Sequence, residues 1–179
     1  MKKDGIYKLV LSAMFFAIAL ILPLITGQIP QIGSMLLPMH IPVLLCGYFC
    51  GPLCGAAVGL FAPIIRSFLF GMPVLMPTGI AMCFELFTYG LVSGLMYKLL
   101  PKKPIFVYVS LITAMITGRA VWGMISAIIY GVSETTFGLE MFITGAFAGA
   151  VPGIIIQIVI VPLLVITLRK LSFVRDIRE

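Results

Sequence analysis

The chain has 179 residues, of which 61% are hydrophobic and 10% are charged, and its mean hydropathy is +1.21. A soluble domain carries about 45–50% apolar and about 25% charged residues, so the composition argues against a soluble enzyme, a nucleic-acid-binding domain and a disordered chain. The formal net charge of +6 comes mostly from basic residues beside apolar stretches, which is typical of the cytoplasmic face of a membrane protein. We therefore expect a single membrane domain over residues 1–179 that lies in the lipid bilayer and binds no nucleic acid.

Six apolar stretches follow one another along the chain, and each predicts a membrane-spanning helix. They cover residues of about 6–26, 39–51, 53–70, 77–99, 104–131 and 141–168. The first is longer than the apolar core of a signal peptide and no small-residue cleavage motif follows it, so it is expected to be a retained helix. The second is too short for a straight crossing, which needs about 20 residues, and it ends at Gly51 and Pro52. We expect this second helix to be tilted, broken or continuous with the third.

The basic residues at the ends of these spans and beyond them fall on one side of the predicted bundle. They are Lys2, Lys3 and Lys8 around the start of the first span, Lys98, Lys102 and Lys103 around the end of the fourth, and Arg169, Lys170, Arg175 and Arg178 after the sixth. The opposite segments, about 27–38, 71–76 and 132–140, contain no lysine or arginine. Because basic loops stay in the cytoplasm, the sequence predicts an all-α integral membrane protein, a bundle of six transmembrane helices with both termini cytoplasmic, in a bacterial plasma membrane.

Small residues recur at four-residue spacing, which places them on one face of a helix and lets neighbouring backbones approach closely. The glycines with this spacing are Gly47, Gly51, Gly55 and Gly59, then Gly90 and Gly94, and finally Gly145, Gly149 and Gly153. We expect these glycines to pack inside the bundle. Ala13 and Ala17 have the same spacing in the first span, flanked by bulky apolar residues, and we expect this pair to face outward and dock a partner helix.

Groups suited to catalysis or metal binding are few. His40 is the only histidine, no Gly-x4-Gly-Lys phosphate loop occurs, and no span holds paired carboxylates, so no catalytic residue and no cofactor are predicted. The cysteines lie in apolar stretches and are Cys46, Cys50, Cys54 and Cys83. The first three have helical spacing but lack the nearby carboxylates that a metal would need. We expect all four to be reduced packing residues rather than a metal site or disulfides.

Three ionisable residues lie inside the spans: Arg66, Glu85 and Arg119. A charged residue at the centre of a membrane helix costs about 2.5–3.5 kcal/mol on translocon scales, so such residues normally face a partner or a cavity. All three are expected in the outer half of the bundle. In one interpretation, Glu85 pairs with one arginine as a structural lock, and Arg66 reaches the membrane interface. In the other, the three residues line a polar pocket open to the outside, and the arginine that Glu85 does not neutralise binds a ligand carboxylate or phosphate.

The outer segments support the pocket. Residues 27–40 and 71–79 are apolar yet interrupted by proline and glycine, and non-helical backbone at membrane depth is tolerated only where it is buried or lines a cavity. These segments are expected to close the site like lids. Together with the three ionisable residues, the candidate substrate-binding side chains are Gln31, His40, Met76, Trp122 and Gln157. The competing roles are helix capping for His40, core packing for Met76 and the interfacial aromatic belt for Trp122.

With these features the whole chain resembles the substrate-binding S component of energy-coupling factor (ECF) transporters. The resemblance rests on six spans with cytoplasmic termini, on the Ala13-x3-Ala17 motif, on the apolar loop before the second span, and on the series Pro63, Arg66, Pro73, Pro77 and Glu85. It implies a vitamin-binding protein with its site on the extracellular side, closed by the first loop and by the loop between the third and fourth spans. It also implies a transmembrane T subunit that docks on Ala13 and Ala17, and two cytoplasmic ATPases that supply the energy.

Several substrates and two other classes of function fit the sequence. An arginine left over inside the bundle favours an anionic ligand, so pantothenate is the first candidate. Hydroxymethylpyrimidine or a pyridoxine-like vitamin is the alternative, with Glu85 as hydrogen-bond acceptor and Trp122 as stacking partner. From other classes, a small membrane enzyme acting on lipid or quinone would need clustered acidic or histidine groups. A structural subunit would use the ionisable residues only to lock helices together.

Overall fold

The computed structural model describes residues 3–25, 35–101, 103–132 and 150–170 of the chain. Within these ranges the protein consists mostly of α-helices and contains no strand. The helices are α1 (Lys3–Ile21), α2 (His40–Cys50), α3 (Pro52–Phe70), α4 (Ile80–Leu99), α5 (Pro104–Val132) and α6 (Val151–Lys170). A 3-10 turn (Leu22–Leu24) extends α1, and a π-helical turn (Leu75–Gly79) precedes α4.

The apolar stretches of the sequence coincide with these helices. Five helical segments are long and apolar enough to cross a membrane, and α2 is a shorter apolar helix of 11 residues. The prediction of an all-α membrane protein is therefore confirmed. The six crossings and the cytoplasmic termini stay predictions. Residues 141–149 of the sixth predicted span lie outside the described residues, and α6 begins at Val151.

The second predicted span is a helix that breaks at Gly51. Gly51 has φ +96° and ψ 173°, a conformation that glycine adopts without steric cost, and Pro52 begins α3 where its missing N–H removes no hydrogen bond. A Cβ on Gly55 would lie 2.7 Å from the Cα of Gly47, so the chain turns back and α3 packs against α2. The rise of an α-helix makes α2 about 16 Å long, roughly half of a hydrocarbon core of about 30 Å. Of the three arrangements expected for this span, the structure shows the broken one.

Glycines bring α2, α3 and α4 together at backbone distance. A Cβ on Gly90 would lie 2.2 Å from the carbonyl oxygen of Gly55, and a Cβ on Gly59 would lie 2.2 Å from that of Leu86. Gly47 is equally tight, since a Cβ there would lie 2.6 Å from the carbonyl oxygen of Gly90. Only glycine fits such contacts, because any side chain would push the helices apart. Internal packing, predicted from the spacing, is confirmed for these glycines. It is wrong for Gly51, where a Cβ would meet no atom within 4 Å, because Gly51 forms the turn between α2 and α3.

The core surrounds α2, whose residues are all buried except Ile41. Helices α1, α3, α4 and α6 pack against α2, and α5 packs against α4 and α6. A Cβ on Gly153 would lie 2.6 Å from the carbonyl oxygen of Met35, so the start of α6 holds the segment that leads into α2. Gly145 and Gly149, from the same predicted series, lie outside the described residues. Helix α1 is the least enclosed, with 11% of its membrane-spanning window buried.

Candidate ligand-binding site

Side chains from three helices meet at one carboxylate in the interior of the bundle. Glu85 lies on α4, Arg119 lies on α5, and His40 is the first residue of α2. Arg119 Nη1 lies 2.9 Å from Glu85 Oε1, and His40 Nε2 lies 3.4 Å from the same oxygen. All three side chains are buried. The sequence leaves open which arginine pairs with Glu85, and the structure shows that it is Arg119.

Tyr89 belongs to the same group of side chains, although sequence reasoning does not identify it. It lies one turn after Glu85 on α4 and is fully buried, and its ring meets the His40 ring edge-on with 5.0 Å between the centroids. Gly118 makes room for it, since a Cβ there would lie 2.3 Å from the Tyr89 ring. The spacing from Glu85 is the signal that could have found it, because residues four apart share one helix face. We refer to His40, Glu85, Tyr89 and Arg119 as the polar cluster.

The polar cluster has more hydrogen-bonding capacity than its own residues use. The buried atoms without a well-aligned hydrogen bond among the described residues are both ring nitrogens of His40, Oε1 of Glu85, the hydroxyl of Tyr89, and Nε and Nη2 of Arg119. The Tyr89 hydroxyl lies close to the Arg119 guanidinium, so a ligand that binds Arg119 would also meet Tyr89. The contact between Glu85 and Arg119 is short, but it is a charge contact without hydrogen-bond alignment. A buried polar atom without a partner costs about 1–3 kcal/mol, so folded proteins rarely leave several of them together. Such a cluster is suited to binding a small polar ligand.

Gln157 is a further buried polar side chain with unused hydrogen-bonding atoms. It lies on α6 and is fully buried, and neither its amide oxygen nor its amide nitrogen has a partner in the described part of the chain. Helix α6 packs against α2 and α5, which carry His40 and Arg119. The expected burial of Gln157 is confirmed, and its amide offers a donor and an acceptor on a helix adjacent to the polar cluster.

Arg66, the other buried arginine, has different surroundings. It lies on α3 and donates a hydrogen bond from Nη1 to the carbonyl oxygen of Leu20 in α1, and its guanidinium lies 5.1 Å from the centre of the Phe70 ring. Pro23 explains why this carbonyl needs a donor, because proline has no N–H and lies in the 3-10 turn that ends the α-helical hydrogen bonding of α1. Arg66 therefore joins the end of α1 to α3, and its side chain is buried. Whether it lies at the level of the membrane interface stays a prediction.

The structure does not bring every predicted ligand residue into the polar cluster. Met76 lies in the π-helical turn before α4 with 59% of its surface exposed. Trp122 lies on α5 about one turn after Arg119 and is half-buried. Gln31 lies outside the described residues, as do residues 27–34 of the first predicted lid.

The titratable and thiol groups of the described residues limit the chemistry of the site. No group of three histidine, cysteine or acidic residues that could hold a metal ion occurs among them. The cysteines are free thiols, with Cys46, Cys50 and Cys83 buried and Cys54 half-buried. The polar cluster itself offers hydrogen bonds and charge pairing, which bind and orient a ligand.

The predicted docking pair lies on the exposed face of α1. Ala13 and Ala17 are both exposed, and the apolar side chains of Val10, Met14 and Ile21 are exposed as well, at 63%, 48% and 57%. An apolar helix face that carries two alanines one turn apart allows close approach of another helix. Contact with a partner subunit stays a prediction.

The described residues form an all-α membrane protein that encloses a cluster of buried polar side chains. The family model described as "ECF transporter, substrate-specific component" matches residues 7–168, which is most of the 179 residues, and the chain belongs to this family. No curated protein and no solved structure matches the chain. Membership makes the chain a multi-pass membrane component of a transporter rather than an enzyme, and it implies a small-molecule substrate, a T subunit and ATPases as partners.

Proposed function

We propose that this S component captures a small water-soluble vitamin on the extracellular side of a bacterial plasma membrane, with pantothenate as the first candidate. Two partner ATPases then drive its uptake through the T subunit. The observation that carries the proposal is the polar cluster, in which buried side chains from three helices leave polar atoms without partners. The protein gains hydrogen bonds for these atoms when a polar ligand binds.

The depth of the polar cluster supports capture from the outer side. At the rise of an α-helix, Glu85 lies about 8 Å from the start of α4 and about 20 Å from Lys98 in its last turn. The distribution of basic residues assigns the Lys98 end of this helix to the cytoplasm. The cluster therefore lies nearer to the predicted extracellular end, within reach of a ligand that arrives from outside.

The chemistry of pantothenate matches the groups that the site offers. Pantothenate carries a carboxylate, an amide and two hydroxyl groups. Arg119 has unused donors for the carboxylate, while Tyr89 and Gln157 have a hydroxyl and an amide that can pair with the remaining polar groups.

A hydroxymethylpyrimidine or pyridoxine-like ligand is the second candidate. Glu85 Oε1 is an unpartnered acceptor that suits the ring amino or hydroxyl group of such a vitamin. The rings of His40 and Tyr89 lie beside it and offer aromatic contacts. These ligands carry no carboxylate, so they could accept hydrogen bonds from Arg119 but could not pair with its Nε and Nη2 through two parallel charge-assisted bonds.

The exposed face of α1 is the proposed docking surface for the T subunit. Enlarging Ala13 or Ala17 to leucine would hold a partner helix away from the α1 backbone. We expect both variants to bind the vitamin normally while assembling less well with the T subunit and the ATPases, as measured by co-purification. If both variants assemble as well as the original chain, the proposal that α1 is the docking surface is wrong.

The ligand itself is best identified by mass spectrometry of small molecules released when freshly purified protein is denatured. We expect pantothenate, released in near-stoichiometric amount. Ile116→Ala is a matched control on the helix of Arg119, because the side chain of Ile116 is 62% exposed, and this variant should release the same amount. Recovery of lipids alone, with no binding in a screen of purified vitamins, would contradict the proposed function.

A further inference from the structure

We infer that the site selects a ligand with a single carboxylate, and that this carboxylate binds side-on to Arg119 through Nε and Nη2 beside the start of α2. The inference rests on the proposed function and specifies the ligand chemistry of the same site. It also gives Arg66 and Arg119 different roles, since Arg119 binds the ligand and Arg66 does not.

The Arg119 guanidinium is oriented so that one of its edges has no hydrogen-bond partner among the described residues. Nη1 is the nitrogen next to Glu85, at 2.9 Å from Oε1. Nε and Nη2 are both buried without a hydrogen-bond partner among the described residues. These two nitrogens form one edge of the planar guanidinium, and their N–H groups run parallel at the spacing of the two oxygens of a carboxylate. Glu85 thus holds one end of Arg119 while the edge that fits a carboxylate stays free.

The charges around this edge of Arg119 also favour an anionic ligand. The charges of Glu85 and Arg119 cancel, and no further acidic or basic side chain lies within salt-bridge distance of this pair among the described residues, apart from the imidazole of His40. His40 is the first residue of α2, and no side chain caps the start of this helix, although the His40 N–H donates to the carbonyl oxygen of Leu37 and Pro42 has no N–H. A helix start carries roughly half a unit of positive charge, which attracts an anion.

The magnitude of that charge separates a carboxylate from a phosphate. A carboxylate brings one negative charge, which the start of α2 partly offsets. A phosphate monoester brings about −1.5 to −2, which would leave about 1 to 1.5 negative charges without compensation inside the bundle, against about half a charge for a carboxylate. Buried charge without a partner is strongly unfavourable, so of these two anions the site favours the singly charged carboxylate.

Arg66 cannot take this role in the observed structure. Its Nη1 already donates to the carbonyl oxygen of Leu20, and its guanidinium lies over the ring of Phe70. The residues that hold it belong to α1 and to its own helix, whereas the polar cluster is formed by α2, α4 and α5. Arg66 is occupied by structural contacts, and Arg119 is the arginine with donors to spare.

The experiment compares pantothenate with pantothenol, in which a hydroxymethyl group replaces the carboxylate. Isothermal titration on the full chain in lipid nanodiscs measures both affinities. Because two charge-assisted hydrogen bonds are lost with the carboxylate, we expect the original chain to bind pantothenate about 100-fold more tightly than pantothenol. Arg119→Lys keeps the positive charge but loses the two parallel N–H donors of the guanidinium. It should therefore lower the preference for pantothenate over pantothenol about tenfold.

Ile116→Ala serves as the matched control and should keep the preference of the original chain. A thermal melt of each variant checks that it is folded, and the ratio of the two affinities in one variant does not depend on its stability. Equal affinities in the original chain, or an unchanged preference in Arg119→Lys, would overturn the inference. If the ligand released from purified protein is a different carboxylate, that compound and its amide replace the pair.

The released ligand also separates the inference from the proposed function. A vitamin without an anionic group, or one bound through a phosphate, would overturn the carboxylate inference and leave the S component function standing. Lipids alone, with no vitamin bound, would overturn both. A ligand with a single carboxylate whose affinity falls in Arg119→Lys supports both.

Discussion

Arg66 and Arg119 are buried to a similar extent in one bundle, with 3% and 5% of their surfaces exposed, yet their surroundings differ. The guanidinium of Arg66 is held by a backbone carbonyl of α1 and by an aromatic ring of its own helix. The guanidinium of Arg119 touches one carboxylate and keeps two donors without partners among the described residues. Burial of a charge in a membrane protein therefore does not by itself indicate a ligand site. The hydrogen-bonding capacity that the described residues leave unused is what supports the proposed site at Arg119.

The strongest test of the comparison removes the acidic partner of Arg119. In Glu85→Ala the buried guanidinium loses its counter-charge, and loss of one partner of a buried pair destabilises by about 3–5 kcal/mol. Phe84→Leu changes a neighbouring, exposed position and should stay within about 0.5 kcal/mol of the original chain. Unfolding by denaturing detergent, followed by circular dichroism, measures the difference.

Removing both members of the Glu85–Arg119 pair tests whether the loss of stability comes from the unpaired buried charge. The double variant Glu85→Ala with Arg119→Ala leaves no buried charge without a partner, so it should be more stable than Glu85→Ala alone. If Glu85→Ala unfolds at the same detergent concentration as the original chain, the ion pair contributes nothing to stability. Arg119 would then depend on a partner no more than Arg66 does.

The next test removes Arg66. Arg66→Ala leaves the carbonyl of Leu20 without its donor, which costs about 1–3 kcal/mol of stability. Ligand affinity should change by less than about threefold, which is within about 0.7 kcal/mol. The same detergent unfolding and titration measure the two quantities. A large loss of affinity with unchanged stability would reverse the roles assigned to the two arginines.

Pro23 provides an independent control for the role of Arg66. Pro23→Ala restores an N–H in the turn after α1 and lets the helical hydrogen bonds continue. The carbonyl of Leu20 then obtains a backbone donor, so Arg66→Ala should cost less in the Pro23→Ala background than in the original chain. Equal costs in both backgrounds would mean that Arg66 stabilises α1 in another way.

A smaller effect is expected where α5 adjoins Tyr89. A methyl group added in Gly118→Ala would lie 2.3 Å from the Tyr89 ring and must displace it. We expect ligand affinity to fall about tenfold, which corresponds to about 1.4 kcal/mol. Ala120→Val enlarges an exposed position on the same helix and should leave affinity unchanged. Normal affinity in Gly118→Ala would show that the position of Tyr89 does not matter for binding.

The smallest effects are expected when the hydroxyls of Tyr48 and Tyr89 are removed. The hydroxyl of Tyr48 hydrogen-bonds with Ser110 at 2.6 Å and donates to the carbonyl of Val107 at 3.2 Å, whereas that of Tyr89 has no partner among the described residues. Tyr48→Phe should cost about 0.5–1.5 kcal/mol of stability and leave affinity unchanged. Tyr89→Phe should not lower stability, because it removes a buried hydroxyl without a hydrogen-bond partner among the described residues, and it should lower affinity by about threefold to tenfold. The opposite pattern in the two variants would contradict the use of Tyr89 by the ligand.

The helices follow from the sequence because a long apolar stretch has few alternatives to a helix in a membrane. The break at Gly51 and the close packing around Gly90 also follow, since proline, glycine and four-residue spacing have direct backbone consequences. The pairing of Glu85 with Arg119 does not follow, because it depends on how α4 and α5 are rotated against each other. Sequence patterns alone do not fix that rotation.

Two features of the site lie beyond sequence reasoning for different reasons. Arg66 binds a backbone carbonyl, and a pattern of side chains contains no sign of such a partner apart from Pro23. Tyr89 has the spacing to share a face with Glu85, but aromatic residues in membrane helices usually serve packing or the interface. Among the described residues, its buried hydroxyl without a hydrogen-bond partner distinguishes it from Tyr48.

The glycine contacts among α2, α3 and α4 have a consequence for variation in this chain. Gly55, Gly59 and Gly90 touch backbone atoms of the neighbouring helix, which cannot rotate away as a side chain can. Each of these positions therefore has one permitted amino acid, while lipid-facing positions such as Leu53 and Phe68 accept any apolar residue. As related chains diverge in sequence, these glycines should stay fixed, and new substrate preferences should arise by exchanging the side chains around them.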